Sequence, residues 1–216
     1  MSDAAPPDPG GLPPDFFARI GAGPGWERDL AAYRQRLAEA NQHMNLVGAS
    51  TLGQFWERHF VDSAQLLWVL PEAQVWADLG SGAGLPGVVL AILLKGRPGA
   101  RVHLIESMAK RCRFLSEVVE ALTLPVEIHN VRAETLALKV EVVTARACAP
   151  LARLLGYAEP FFARGATGLF LKGADVETEI TEARKSWRYT AETRVSLSDP
   201  RGRLLSIKEL SRVGKR

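Results

Sequence analysis

The chain has 216 residues, of which 47% are hydrophobic and 24% charged, a composition that suits one globular domain with a sizeable core. A net charge of +3 and a pI near 9.0 say little by themselves about a polyanionic partner. The longest apolar stretch, Leu85 to Leu94, is about half of what a membrane span requires, and no basic start followed by an apolar run marks a signal peptide. Cys112 and Cys148 lack metal-ligand or redox spacing, so free thiols in a reducing cytosol are expected, and no metal site.

Residues 1–12, rich in proline and glycine from Pro6 onward, predict a flexible tail before a single domain over 13–216. Residues 13–73 read as N-terminal helices. Trp26, Leu30, Tyr33, Leu37, Ala40 and Met44 recur at helical spacing, and a second helix is expected from about Leu52 to Leu70, stopped by Pro71. From residue 74 the pattern changes. Strands are expected at Gln74–Leu79, Arg101–Ile105, Val126–Ile128, Val140–Ala145, Thr167–Leu171, Tyr189–Val195 and Arg203–Ile207. Helices are expected at Leu85–Leu94, Ser107–Leu122, Leu151–Ala163 and Ala174–Trp187. The last two strands, joined around Asp199, Pro200 and Gly202, predict an antiparallel hairpin. The fold class is therefore α/β: a mostly parallel seven-stranded sheet with helices on both faces and a small N-terminal helical extension.

The strongest local signal is Asp78-Leu79-Gly80-Ser81-Gly82-Ala83-Gly84-Leu85-Pro86-Gly87, directly after the first core strand. It contains a formal dinucleotide fingerprint, Gly82-x-Gly84-x-x-Gly87, in which glycines would let a backbone turn cradle pyrophosphate. Asp78 would oppose that anion. S-adenosylmethionine carries no phosphate but a sulfonium and an amino group, which an acid beside a glycine turn suits. Glu106, at the end of the next strand, can accept hydrogen bonds from ribose hydroxyls of either cofactor.

Basic residues cluster as Lys110, Arg111 and Arg113, and as Arg201, Arg203, Lys208, Arg212, Lys215 and Arg216 against the single acid Glu209. Either group could contact phosphates or form a solvated basic surface. His59 has no partner at metal spacing and reads as a hydrogen-bonding residue, with Asp62 as a partner. Asn45 reads as a helix-ending residue. Arg146 could pair with Glu134 or Asp78, and Lys172 could face solvent.

Ordered segments across most of the chain resemble the glucose-inhibited division protein B family of bacterial small-subunit ribosomal RNA methyltransferases. They are Asn41-Gln-His-Met-Asn45-Leu46-Val47, Arg58-His59-Phe-Val-Asp62-Ser63, the Asp78–Gly87 turn, Glu106-Ser-Met-Ala-Lys110-Arg111, Arg132-Ala133-Glu134, Thr144-Ala145-Arg146-Ala147-Cys-Ala-Pro150-Leu151 and Leu171-Lys172-Gly173. The chain departs from the family pattern at Ala40 and Glu141. The resemblance implies a Rossmann-like class I methyltransferase fold and methyl transfer from S-adenosylmethionine to guanine N7 in the 530 loop of 16S ribosomal RNA, free or in the small subunit. It implies cofactor contacts at Asp78, Gly80, Ser81, Gly82, Gly84, Leu85, Glu106, Ala133, Glu134 and Arg146. Arg146 and Lys172 would position the base, with Asn45, Arg58, His59, Lys110 and Arg111 toward the RNA. A cytoplasmic monomer is expected. Guanine N7 has no proton to lose, so no general base is required. An NAD-dependent oxidoreductase, an RNA-binding module without turnover and a small-molecule methyltransferase remain open alternatives.

Overall fold

The computed structural model describes residues 12–214. The predicted tail at residues 1–11, Lys215 and Arg216 lie outside them. Leu12, assigned to the tail, packs against the hydrophobic core. A short helix α1 (Phe16–Ile20), unforeseen in the sequence, follows at once and buries Phe16 and Ile20. Arg97 holds its C-terminal end, donating to the carbonyls of Ile20 and Gly21. Helix α2 (Trp26–Met44) buries Leu30, Tyr33 and Leu37 on the predicted face and ends at Asn45 in a left-handed conformation.

The predicted helix from Leu52 to Leu70 is three pieces. Helix α3 (Ala49–Leu52) is one turn, Trp56–Val61 is wound as a π-helix, and α4 (Asp62–Val69) completes the run. A stretch of six residues is too short for periodicity to tell a π turn from an α turn. Its effect is chemical: π-helical turns re-aim side chains and recur at functional sites, and this one carries Arg58 and His59.

Beyond residue 74 the elements alternate as β1 (Val75–Leu79), α5 (Gly87–Leu94), β2 (Arg101–Ile105), α6 (Ala109–Leu122), β3 (Val126–His129), β4 (Val142–Arg146), α7 (Leu151–Phe162), β5 (Thr167–Lys172), α8 (Val176–Ala183), β6 (Trp187–Val195) and β7 (Arg203–Arg212). The sheet order is β3-β2-β1-β4-β5-β7-β6, with β7 antiparallel to both neighbours and the other pairs parallel. The expected hairpin is longer than predicted. Trp187, assigned to the end of α8, opens β6, because its indole packs under α7 and donates to the carbonyl of Ala152.

The two faces of the sheet carry separate apolar clusters, one under α2, α4, α5 and α6, the other under α7 and α8. Every residue of α5 is buried. It lies between β1 and β2 on one side and α2 and α4 on the other, which is why its sequence is a continuous apolar run with no amphipathic period. Glu141, where the family pattern differs, accepts the amides of Gln74 and Val75 and so fixes the start of β1. No helix among the described residues is long and apolar enough to cross a membrane.

One ionic contact ties the helical layer together. Asp29 of α2, 4% exposed, accepts from Lys95 Nζ at 2.8 Å and from Arg28 Nη2 at 3.0 Å. Lys95 also donates to the carbonyl of Leu122 at 2.6 Å, joining α2 to the ends of α5 and α6. Burial alone would raise the Asp29 pKa, but the hydrogen bonds from Lys95 and Arg28 outweigh it and hold the carboxyl below its ordinary 3.8. Folding therefore favours the ionised form. The stabilisation is present above the ordinary carboxylate pKa and is lost as pH falls through the depressed value. Asp29→Asn is expected to lower stability at neutral pH by about 1–3 kcal/mol, and the gap from wild type should close below pH 4. Chemical denaturation at pH 7 and at pH 3 measures both arms.

Candidate active site

The turn after β1 is built on two carboxylates. Gly80 and Ser81 donate their amides to the Ile105 carbonyl at 2.8 and 3.1 Å, and Gly84 donates to the Ser81 carbonyl at 2.6 Å. Gly82 donates to Glu106 Oε2 at 3.0 Å, and Gly87 to Asp78 Oδ2 at 3.1 Å. Gly80 and Gly84 have φ of +68° and +93°, in the left-handed region that favours glycine. A Cβ at Gly80 would also lie 2.7 Å from the Cys148 sulfur. A pyrophosphate cradle needs amides pointing freely at an anion. Here those of Gly82 and Gly87 are committed to carboxylates, which argues against the dinucleotide reading and for a ligand with positive charge.

Asp78 is fully buried beneath this turn. Burial pushes its pKa up to about 7 against the opposing Gly87 hydrogen bond, and its Oδ1 has no partner. An orphaned carboxylate oxygen under a glycine turn fits the amino group and sulfonium of S-adenosylmethionine electrostatically, since a cation above it would restore the ionised form. Glu106 is also buried. Its Oε2 serves Gly82 and its Oε1 accepts from Met108 N at 2.8 Å. A carboxylate can accept about four hydrogen bonds, so both oxygens retain capacity for ribose hydroxyls.

Arg146, at the end of β4, reaches across to the π-helix. Its Nη1 donates to Asp62 Oδ2 and to the Arg58 carbonyl, both at 3.1 Å, and its Nη2 lies 2.8 Å from His59 Nδ1. Its partners are thus Asp62 and His59, and neither Glu134 nor Asp78. An arginine has no acceptor, so His59 Nδ1 must be the unprotonated nitrogen. The other, Nε2, then donates to Thr51 Oγ1 at 3.0 Å, and that hydroxyl donates to the Gly48 carbonyl at 2.7 Å. The partner of His59 is Thr51, where the sequence suggested Asp62. Asp62 turns its second oxygen to Ser198 Oγ at 2.8 Å and to Gln65 Nε2 at 3.2 Å. Gln65 in turn accepts the Leu197 amide, so the β6–β7 connection is clamped to α4.

These elements surround a cleft of about 870 Å³ at the carboxyl ends of the central strands. Gly80, Ser81, Gly82 and Leu85 line one wall, and Arg58, His59, Arg111, Arg146 and Lys172 contribute from the others. The structure adds Asp199 and Arg201 from the β6–β7 connection and Arg203 from the start of β7, so part of the basic cluster that the sequence left as a phosphate contact or a solvated surface lines the cleft. Lys172 does not face solvent: its ammonium contacts Glu179 at 2.6 Å and the Ala149 carbonyl at 3.1 Å, bracing the segment after β4. Several predicted residues stay off the cleft wall. Asp78 and Gly84 lie behind the turn. Glu106 is just below Gly82. Ala133 and Glu134 form a short 3-10 turn after β3. Asn45 caps α2, exposed, and Lys110 donates to the His43 carbonyl at 3.2 Å. Arg212 is structural, bidentate to Glu159 and stacked over Trp187.

A seven-stranded sheet with one antiparallel insertion, and a glycine turn held by two buried acids, defines the Rossmann-like methyltransferase class. A crystal structure of an MtNAS mutant in complex with S-adenosylmethionine shares the fold, with TM-score 0.55 and 15% identity over 84% of this chain and 75% of that one. The chain belongs to the GidB family, rRNA small subunit methyltransferase G, whose pattern matches residues 27–203. It is 62% identical over 198 residues to ribosomal RNA small subunit methyltransferase G of Caulobacter vibrioides, covering 92% of each chain. The protein of the same name from Methylorubrum extorquens is 46% identical over 187 residues, 85% of this chain and 89% of that one.

Burial, followed by the charge of Arg146, pushes the His59 pKa down to about 4. The folded state refuses a proton that the unfolded histidine accepts. Stability should therefore decline as pH falls from about 6.5 toward 4, by at most about 1.4 kcal/mol per pH unit from this residue. In His59→Gln that component should be missing. Urea denaturation of both proteins across this range measures it; parallel profiles would mean that His59 titrates normally.

Proposed function

We propose that this chain methylates guanine N7 in the 530 loop of 16S ribosomal RNA, using S-adenosylmethionine, as a monomer in the cytoplasm. The observation that carries the reading is the glycine turn: the amides of Gly82 and Gly87 are committed to Glu106 and Asp78, leaving a surface suited to a cationic cofactor, beside a cleft rimmed with arginines. The names of the relatives supply the substrate class. The basic rim supports it, since Arg58, Arg111, Arg201 and Arg203 can meet phosphates around an exposed base.

In this reading Gly80, Ser81, Gly82 and Leu85 give the cofactor its backbone surface, and Asp78 and Glu106 supply the negative potential and the ribose contacts. Ala133 and Glu134 flank the adenine. When bound, the cofactor supplies an electrophilic methyl group for the N7 lone pair, so the protein's task is alignment. Arg146 is equipped for it. Three of its five N–H donors are fixed by Asp62, the Arg58 carbonyl and His59, so the guanidinium is pre-organised and two donors remain for the base or its phosphate. Lys172 acts one step back by holding the Ala149 carbonyl, and Asn45 and Lys110 shape the outer approach of the RNA.

The test is methyl transfer from labelled S-adenosylmethionine to small-subunit particles lacking native methylation, with the modified nucleoside mapped. N7-methylguanosine in the 530 loop is expected, with turnover falling as salt rises. Arg146→Ala should lower turnover by about 100-fold, and Arg146→Lys should not rescue it because the planar fork is lost. Label at another nucleoside, or unaltered turnover in Arg146→Ala, would overturn the substrate or the role respectively.

A further inference from the structure

A second constellation lies at the edge of the sheet, and none of its residues lines the cleft. His103 on β2 and Glu127 on β3 are directly opposite in the parallel register, and His129 lies two residues beyond Glu127 on the same face. His103 Nδ1 is 3.0 Å from His129 Nε2. His103 Nδ1 is 3.5 Å from Glu127 Oε2, and His129 Nε2 is 3.7 Å from Glu127 Oε1. The three residues thus form a triangle in which the two imidazole nitrogens are 3.0 Å apart and each meets a different oxygen of the Glu127 carboxylate, at 3.5 and 3.7 Å, with one ligand atom from each residue within 4.8 Å of the others.

We propose that His103, His129 and Glu127 bind one divalent transition-metal ion of the zinc type. Bonds of about 2.0–2.1 Å in a tetrahedron place ligand atoms about 3.3–3.4 Å apart, close to the 3.0 Å between the two nitrogens and the 3.5 Å from His103 Nδ1 to Glu127 Oε2. The donor set is also right: imidazole and carboxylate together select zinc and its neighbours over magnesium or calcium, which take oxygen. The site is held from below and open above. His103 is 6% exposed and immobilised by the sheet, while the Glu127 side chain is 51% exposed, which leaves a path for the ion and a fourth position for water.

The neighbouring charge does not block it. Arg101 Nη1 lies 3.7 Å from Glu127 Oε2, but that pair is solvent-exposed and an ion held by three ligands displaces it readily. Only one proton can bridge the two facing nitrogens, and the ion takes its place as that proton leaves to solvent. The consequence is mechanical. Strand β3 ends the sheet, and the His129 carbonyl accepts the Glu106 amide at 3.1 Å. An ion at the triangle staples this edge to β2 next to the acid beneath the glycine turn. The spacing Glu-x-His with a histidine 24 positions before the glutamate resembles no cysteine–histidine metal motif, and only the parallel register brings the three together.

The experiment is a calorimetric titration of the tag-free, chelator-treated full chain with zinc chloride, repeated with cobalt(II) for its visible spectrum. One equivalent of zinc, a tetrahedral cobalt spectrum and a raised melting temperature are expected. Changes outside a ligand shell already cost roughly 10–100-fold in affinity, so His129→Ala should weaken binding by about 100-fold or more. Glu127→Gln, at an exposed position that leaves the core intact, should weaken it by about 10-fold or more. His43→Ala, remote from the triangle, should bind as wild type. Absence of stoichiometric binding at micromolar zinc, binding that survives in both ligand variants, or binding lost with His43 would each overturn the proposal.

Discussion

The hydrogen bonds from Gly82 to Glu106 and from Gly87 to Asp78 set the conditions for everything around the cleft. Two acids hold a loop of positive-φ glycines against the ends of β1 and β2, on one wall of the cleft. The arrangement is costly for the isolated chain. Asp78 is buried with one oxygen unsatisfied, and burial pushes its pKa up to about 7, so positive charge brought near it favours the ionised form. That preference separates this turn from glycine turns that hold phosphate, although the spacing of the glycines is identical.

The second organising contact is Arg146. It joins the parallel sheet to the N-terminal helices at the mouth of the cleft, through Asp62, His59 and the Arg58 carbonyl. Asp62 passes the constraint on to Ser198, and Gln65 fixes Leu197. The helical extension, the central strand and the hairpin connection therefore meet at a single guanidinium. A buried neutral histidine is part of that design: its orientation is dictated by an arginine on one side and a threonine on the other.

Much of this was legible in the sequence. Apart from the far end of β7, the strands came out within about two residues of their observed ends, because most are short apolar runs bounded by turn residues. Helix α5 was plain because its apolar run admits only burial. The glycine turn and its two acids were visible because the chemistry is local. The partners of Arg146 were not. Asp62 and His59 lie 84 and 87 residues away, and the sequence offered Glu134 or Asp78 instead. The π-helix was hidden because it spans only six residues, too few for its different period to show. The solvent-facing alternative for Lys172 fails because Glu179 on α8 folds back onto it, a pairing that no local pattern marks.

The burial of α5 on every side bears on how the chain matures during synthesis. Helices α2 and α4 leave the ribosome before the apolar segment they are built to cover, and that segment has no polar face with which to wait in water. Until β2 emerges beyond residue 105, neither layer has its sheet partner. The nascent protein must therefore carry two unmatched greasy surfaces at once, and a chaperone that shields the Gly87–Leu94 stretch would be serving the interval between their appearance and their closure.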